Sequence, residues 1–346
     1  MGRAYFELKD FERAEREFQL ILKRAPDGEL RRASEAYLAA MRASAGREQR
    51  RFTGYAEISA GRDTNVSAAS AQSSVFVPGL GVQFVPERRF QRREDDFFTF
   101  GAGFEYAHAL RSDLGVLAGA DIRQRWHADA KPFDTRVADL DGALNHRIDE
   151  RNALQYSIHL NYYELHNTRY RETHSLGAQW NRSLSARSRL SVSGQGHRIR
   201  YRTEDASASS SDLVAGSVGV THLLGLAAPT TVAGAIHLGH DHAVAGRLDG
   251  DRRLRGASVA LQRRLGPSLE GYLRFSVLHS DYDRQNYWFG LSREDRQRDA
   301  VLGFAWSFAQ GWQLRPQVAR TVNRSNLPIS EYHRTETSIT LRRVWD

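Results

Sequence analysis

Cysteine is absent from all 346 residues, which excludes disulfides and thiolate metal sites. Also absent is any run near the roughly 18 apolar residues that a membrane helix needs. The opening Met1-Gly2-Arg3 leads straight into an amphipathic segment, without the layout of a signal peptide. No Ser-His-Asp or paired-carboxylate arrangement has a context for catalysis. Gly101-Ala102-Gly103 looks like part of a dinucleotide fingerprint, but no helical pattern follows it. The chain is therefore not expected to be an enzyme, and no cofactor is expected. A net charge of +8 and a pI near 9.9 suggest polyanions. Acidic residues are nevertheless interleaved with the arginines throughout, so nucleic acid is not an expected partner.

What is present is a period of two. In the segment 114–122, Leu114, Val116, Ala118, Ala120 and Ile122 fall on one face of a strand. Asp121, Arg123 and Arg125 fall on the other, and Trp126 stands at the strand end. Leu154, Tyr156, Ile158, Leu160 and Tyr162 alternate with Gln155, Ser157, His159 and Asn161. Leu269, Leu273, Phe275 and Val277 oppose Glu270, Arg274 and Ser276, and Leu302, Phe304, Trp306 and Phe308 repeat the pattern. Facing lipid at mid-bilayer, a charged residue costs roughly 2–4 kcal/mol. Strict segregation of this kind predicts strands with one face in lipid and one lining a lumen. The mean hydropathy of −0.56 is no obstacle, because alternation averages out. In the stretch 190–201 the apolar face changes midway, which predicts a bulge.

The connections alternate in length. Tight turns are expected at 111–113, 149–152, 186–187, 229, 266–268 and 310–311. Longer excursions are expected at 128–134, 203–212, 243–252, 283–297 and 324–333. Short turns on one rim and long loops on the other predict a bacterial outer-membrane antiparallel β-barrel of about 14 strands. An even strand number places both barrel termini on one side, the periplasm. The first strand, 52–61, then rises to the longest connection, 63–94, which is expected outside.

Residues 1–46 have a different rhythm, with Phe11, Ala14, Phe18, Ile21 and Leu22 at helical spacing. Gly2, Tyr5, Ala14, Phe18 and Pro26 fall on spacings that resemble a tetratricopeptide repeat, in which they are packing residues. A further helix is expected over 30–44, with Tyr37 and Met41 on its packed face. About three such repeats are needed for a stable stack. Together with the missing signal, this predicts that the natural protein begins upstream. The expected organisation is a short helical periplasmic domain over 1–46, a charged linker over 47–51 and a mainly β barrel over 52–346.

A helical head joined to a barrel of this size through Gly61, Asp63, Asn65 and Val66 resembles the surface lipoprotein assembly modifier family. The run 323–332 resembles that family's last loop. The resemblance implies type XI secretion: translocation of surface lipoproteins, or of secreted haem- and metal-scavenging proteins, across the outer membrane. It implies exported cargo as partner, a periplasmic chaperone as a further candidate, and outer-membrane lipid and lipopolysaccharide around a monomeric barrel. Trp345, next to the end of an alternating strand, resembles the signal read by the barrel-assembly machinery. Two other readings are a polysaccharide-export porin with a repeat head and a passive diffusion porin.

Among candidate sites, His240 and His242 share a strand face with metal-like spacing, although solvated histidines suit a strand end better. His237 is expected on the opposite face. Arg88, Arg89, Arg92 and Arg93 form a basic run in the first long connection, available to lipopolysaccharide phosphates or acidic cargo. The following Glu94-Asp95-Asp96 offers self-pairing instead. Asp121, Arg123, Arg125, Glu270 and Arg274 are the expected lumenal ladder.

Overall fold

A computed structural model of the chain describes residues 50–70, 72, 74–87, 91–225 and 228–346, together with Ala14, Phe18, Leu22, Ser34, Glu35 and Leu38. The alternating segments form a closed barrel of fourteen antiparallel strands. These are β1 (Arg50–Asp63), β4 (Asp95–Ala109), β5 (Leu114–His127), β6 (Thr135–Arg147), β7 (Asn152–Leu165), β8 (Thr168–Ser185) and β9 (Ser188–Tyr201). They continue as β10 (Ser211–Leu224), β11 (Thr230–Ala243), β12 (Arg252–Arg264), β13 (Leu269–Asn286), β14 (Leu291–Ala309), β15 (Trp312–Ser325) and β16 (Tyr332–Trp345). A small hairpin, β2 (Val75–Val77) with β3 (Val82–Phe84), lies inside the connection from β1 to β4. Each barrel strand pairs with its neighbours in sequence, and β1 closes the ring against β16.

Closure follows from the solvent. Hydrocarbon offers backbone groups no hydrogen-bond partner, so a sheet spanning it must have no free edge. The side chains obey the same constraint. Ile58, Phe100, Ile122, Ile158, Phe275 and Phe304 are exposed on the outer surface, where a soluble protein would bury them. Aromatic residues mark the ends of this apolar band: Trp126 stacks on Phe98 at 6.0 Å, and Trp306 lies 5.6 Å from Phe308. Trp345 ends β16 half-exposed beside Gly54 of β1.

The expected short turns all lie on one rim, together with Arg50 and Trp345 at the barrel termini. The opposite rim carries the long connections, with two departures. Between β7 and β8 the chain turns through only His166-Asn167, both at positive φ (50° and 59°). Both residues occupy the left-handed region, which makes a primed two-residue turn that suits strand twist. The expected 283–297 excursion is instead a strand hairpin, in which β13 runs to Asn286 and β14 begins at Leu291.

The bulge expected within 190–201 is absent, for β9 pairs continuously with β8 from Tyr201 to Arg189. Its outward positions simply change from Leu190 and Val192 to Arg198 and Arg200 as the strand leaves the lipid. Register shifts occur elsewhere, at Tyr163/Glu164 and Asp281/Gln285 on the long-loop rim and at Ser183/Ser185 and Ser307/Ala309 on the other. β1 also begins at Arg50, so the last two residues of the expected linker belong to the barrel.

In the segment 1–46, Ala14 and Phe18 are helical and buried. Gly2, Tyr5, Pro26, Tyr37 and Met41 lie outside the described residues.

Candidate functional site

The Gly61-x-Asp63-x-Asn65-Val66 segment lies where the barrel closes on itself. Asp63 and Asn65 are completely buried. Asp63 accepts the Asn65 amide at 2.9 Å and pairs with Arg334 of β16. The Asn65 side-chain amide donates to the carbonyls of Ala69 (2.9 Å) and His333 (3.1 Å), and its oxygen accepts the Ala69 amide at 3.1 Å. The Val66 amide donates to the Arg93 carbonyl at 2.9 Å. Asp63, Asn65 and Val66 thus tie the end of β1 to the start of β16 and to the return of the first connection. Gly61 has no room for a side chain, since a Cβ there would meet the Thr337 carbonyl and the Phe97 ring. The motif is a clasp at the barrel seam.

Below the clasp, the lumen is divided. The wall from β16 through β1 to β7 bears charges of both signs, paired across strands. Arg125 grips Glu336 with two contacts, 2.8 and 3.2 Å, and lies over the Phe97 ring at 3.9 Å. Arg123 reaches Asp139 at 3.3 Å, and His159 reaches Asp141 at 2.7 Å. Asp121 accepts the Tyr55 hydroxyl, while Arg342 covers the Tyr55 ring at 3.7 Å and reaches Glu57 at 3.4 Å. These side chains surround a cavity of about 1100 Å³. The facing wall, β9 to β12, is small and hydroxylated. Ser191, Ser217, Gly219, Thr221, Ala235 and Ser258 line a cavity of about 450 Å³ there, which Arg274 and Asp299 border from β13 and β14. No inward position of β10 carries a charge.

Asp121, Arg123 and Arg125 line this cavity. Glu270 and Arg274 also face inward, but on the opposite side of the seam and outside that ladder. Glu270 accepts from Gln262 at 2.6 Å, and Arg274 stands 5.8 Å from the Tyr272 ring.

A second cluster was invisible in the sequence because its members are far apart in the chain. At the long-loop end of β11, the buried Asp241 accepts Arg247 at 3.0 Å and Arg252 at 2.5 Å. The Tyr282 ring has three guanidiniums around it: Arg293 at 4.9 Å, Arg247 at 5.6 Å and Arg252 at 5.9 Å. Arg293 pairs with Asp295 at 2.7 Å and Asp249 at 3.5 Å, and Asn286 donates to Asp249 at 2.7 Å. The β11–β12 loop is thereby fastened to the β13–β14 hairpin. From the other side, the Gly79 amide of the first connection donates to the Trp288 carbonyl at the tip of the same hairpin, 2.8 Å away. The only sequence signal was the density of Arg and Asp in 241–252.

His240 and His242 face outward, and both approach one carboxylate, Asp251, at 3.6 and 2.7 Å. Among the described residues, no group of three or more His, Asp or Glu stands together to hold a metal. The hydrogen bond to His242, and next the Ala243 amide, hold the Asp251 carboxyl below its ordinary pKa. His237 faces inward and bonds Ser258 at 2.9 Å. In the basic run, Arg88 and Arg89 lie outside the described residues. Arg92 donates to the Thr64 carbonyl at 3.2 Å and meets His333 at 2.9 Å. Of the acidic residues after it, Glu94 and Asp96 both bind Arg62, and Asp95 accepts the Asp129 and Ala130 amides.

No family model matches the chain, and no curated protein matches its sequence. Its fold is similar to those of solved bacterial outer-membrane proteins. The OmpT of Vibrio cholerae aligns over 86% of this chain and 98% of its own, at 8% identity and a TM-score of 0.43. A bacterial polysaccharide outer membrane secretin aligns over 84% and 98%, at 10% identity and 0.44. The translocator domain of the autotransporter NalP from Neisseria meningitidis aligns over 90% and 96%, at 12% identity and 0.35. The chemistry of the site rests on the chain's own geometry. A closed antiparallel barrel with an apolar girdle and a polar lumen is the architecture of an outer-membrane β-barrel.

Proposed function

We propose that the chain is an outer-membrane translocon of the surface lipoprotein assembly modifier type, passing lipoproteins or secreted scavenging proteins to the cell exterior. The observation that carries this reading is the lumen's mixed charge. Acids and bases on the β16–β7 wall neutralise one another, as in Arg125–Glu336 and Arg123–Asp139. A conduit for polypeptide meets both signs in its cargo and gains nothing from a lumen of one sign. The facing wall of small side chains leaves width and offers hydroxyls to any backbone. The buried Asp63–Asn65 clasp, formed by the residues that carry the family resemblance, gives those residues a physical purpose. The repeat-like head would receive cargo on the periplasmic side.

A second reading, a polysaccharide-export porin, is favoured by one observation. The β9–β12 wall, with Ser193 bonded to Ser217 at 2.8 Å, has the hydroxyl character that suits sugars. One experiment separates the two. The gene is deleted, and surface display of a co-encoded lipoprotein or secreted protein is measured beside capsule or exopolysaccharide export. Loss of the protein at the surface, reversed by the full gene, is the expected result. Unchanged protein export with lost polysaccharide would overturn the translocon reading.

A further inference from the structure

The outer surface above the apolar band is electrically lopsided. On the β16–β8 side, outward charges are matched: Arg62 pairs with Glu94 and Asp96, and Arg136 with Glu164. From β9 to β15 they are not. On that side the lipid-facing residues give way to arginine toward the long-loop rim on β9, β12, β14 and β15. Val192 is followed by Arg198 on β9, Val259 by Arg255 and Arg253 on β12, and Val318 by Arg320 and Arg324 on β15. Arg200 pairs with Asp212 at 2.8 Å and Arg255 with Asp281 at 2.5 Å. Among the described residues, Arg198, Arg253, Arg296, Arg298, Arg320 and Arg324 have no carboxylate partner.

Register sharpens the point. Arg255 lies opposite His279, His279 opposite Arg296, and Arg296 opposite Arg324. Three arginines and a histidine therefore form one row across β12 to β15, with strands about 4.8 Å apart. Like charges directly across an antiparallel pair repel. The Arg296–Arg324 opposition is unfavourable in isolation and becomes favourable with an anion between the two guanidiniums. Guanidinium forks match phosphate oxygens two at a time.

We propose that the β9–β15 face is a docking surface for lipopolysaccharide, whose phosphates sit over the arginine row while its acyl chains pack on the apolar band beneath. The height of the row fits: it lies immediately above the last lipid-facing residues on the rim of long connections, where an outer-leaflet headgroup stands. The proposal is independent of which cargo the barrel carries.

The test uses the full chain, purified in non-ionic detergent and titrated with lipopolysaccharide, with binding and the heat-unfolding midpoint as readouts. Arg296→Gln, Arg298→Gln, Arg320→Gln and Arg324→Gln are combined in one variant; Arg111→Gln with Arg151→Gln, on the short-turn rim, is the control. The combined variant is expected to bind on the order of 100-fold more weakly, and the control like the parent. Phosphatase-treated lipopolysaccharide should bind the parent chain as weakly as intact lipopolysaccharide binds the combined variant. If the combined variant does not fold, the four Arg→Lys changes replace it, keeping the charge but losing the fork. They should bind more weakly than the parent. Equal binding by the parent and the Gln variant, or by intact and dephosphorylated lipopolysaccharide, would overturn the proposal. Equal stabilisation by phosphatidylglycerol vesicles would overturn the choice of lipopolysaccharide.

Discussion

Arg125 of β5 and Glu336 of β16 are joined by two parallel hydrogen bonds, reaching past β4 and β1, which lie between their strands. Each side chain is mostly buried, 24% and 20% exposed. Removing one partner strands the other in a site with limited water. Arg334 remains 3.3 Å from Glu336 and softens the loss. Arg125→Met is therefore expected to cost about 1–3 kcal/mol in urea unfolding from lipid vesicles. In a double-mutant cycle with Glu336→Gln, the second change should cost much less than it does alone. Additive costs would show that the pair is not coupled.

Asn65→Ala should leave the barrel closed and release the first connection. The substitution removes four side-chain hydrogen bonds at a fully buried residue, each worth about 1 kcal/mol. Brief proteolysis of cells should then cut within 64–94, while the barrel keeps its heat-dependent migration on gels. Equal resistance in parent and variant would mean that the clasp does not hold the loop.

Facing directions on β13 can be checked by two neighbouring substitutions. Phe275→Arg places charge against lipid and should cost roughly 2–4 kcal/mol. Ser276→Arg, one residue on, points into the lumen beside Asp299, its cross-strand neighbour on β14, and should cost far less. A reversed order would mean that the faces are exchanged.

Asp251 gives a pH prediction. Its carboxyl is held below its ordinary pKa by His242 and by the Ala243 amide. The depressed folded value means that its contribution is present above the unfolded carboxylate pKa and is lost as pH falls through the folded one. Docking of the β11–β12 loop should therefore persist through mildly acidic conditions and weaken only below about pH 4. Hydrogen exchange at the Ala243 amide should report this, and Asp251→Asn should abolish the pH dependence.

The lipid-spanning part of the barrel was legible in the sequence because the bilayer enforces one rule on every strand. Leu154 to Tyr162 and Leu302 to Phe308 read correctly since a polar residue facing lipid is costly. Above the bilayer the rule lapses. That is why Arg198 and Arg200 looked like a change of face, and why 283–297 looked like a loop although it continues β13 and β14. The His166-Asn167 turn escaped notice because neither residue is glycine or proline, and the polar residues after it, Thr168 to His174, belong to β8. Asp63 and Asn65 stood out as a motif, whereas the Asp241–Arg252–Tyr282 cluster joins residues that only folding brings together.

The two exceptional turns of the long-loop rim also fix the outline of the mouth. The His166-Asn167 turn closes almost level with its neighbours, whose pairing reaches Leu165 on one side and Arg171 on the other. The β13–β14 hairpin, nearly half the circumference away, continues four residues past its last pairing with β12, about 13 Å of added wall. A pore with one low side and one high side has a spout. The rim stands highest at the β13–β14 wall and lowest over β7 and β8 among the described residues.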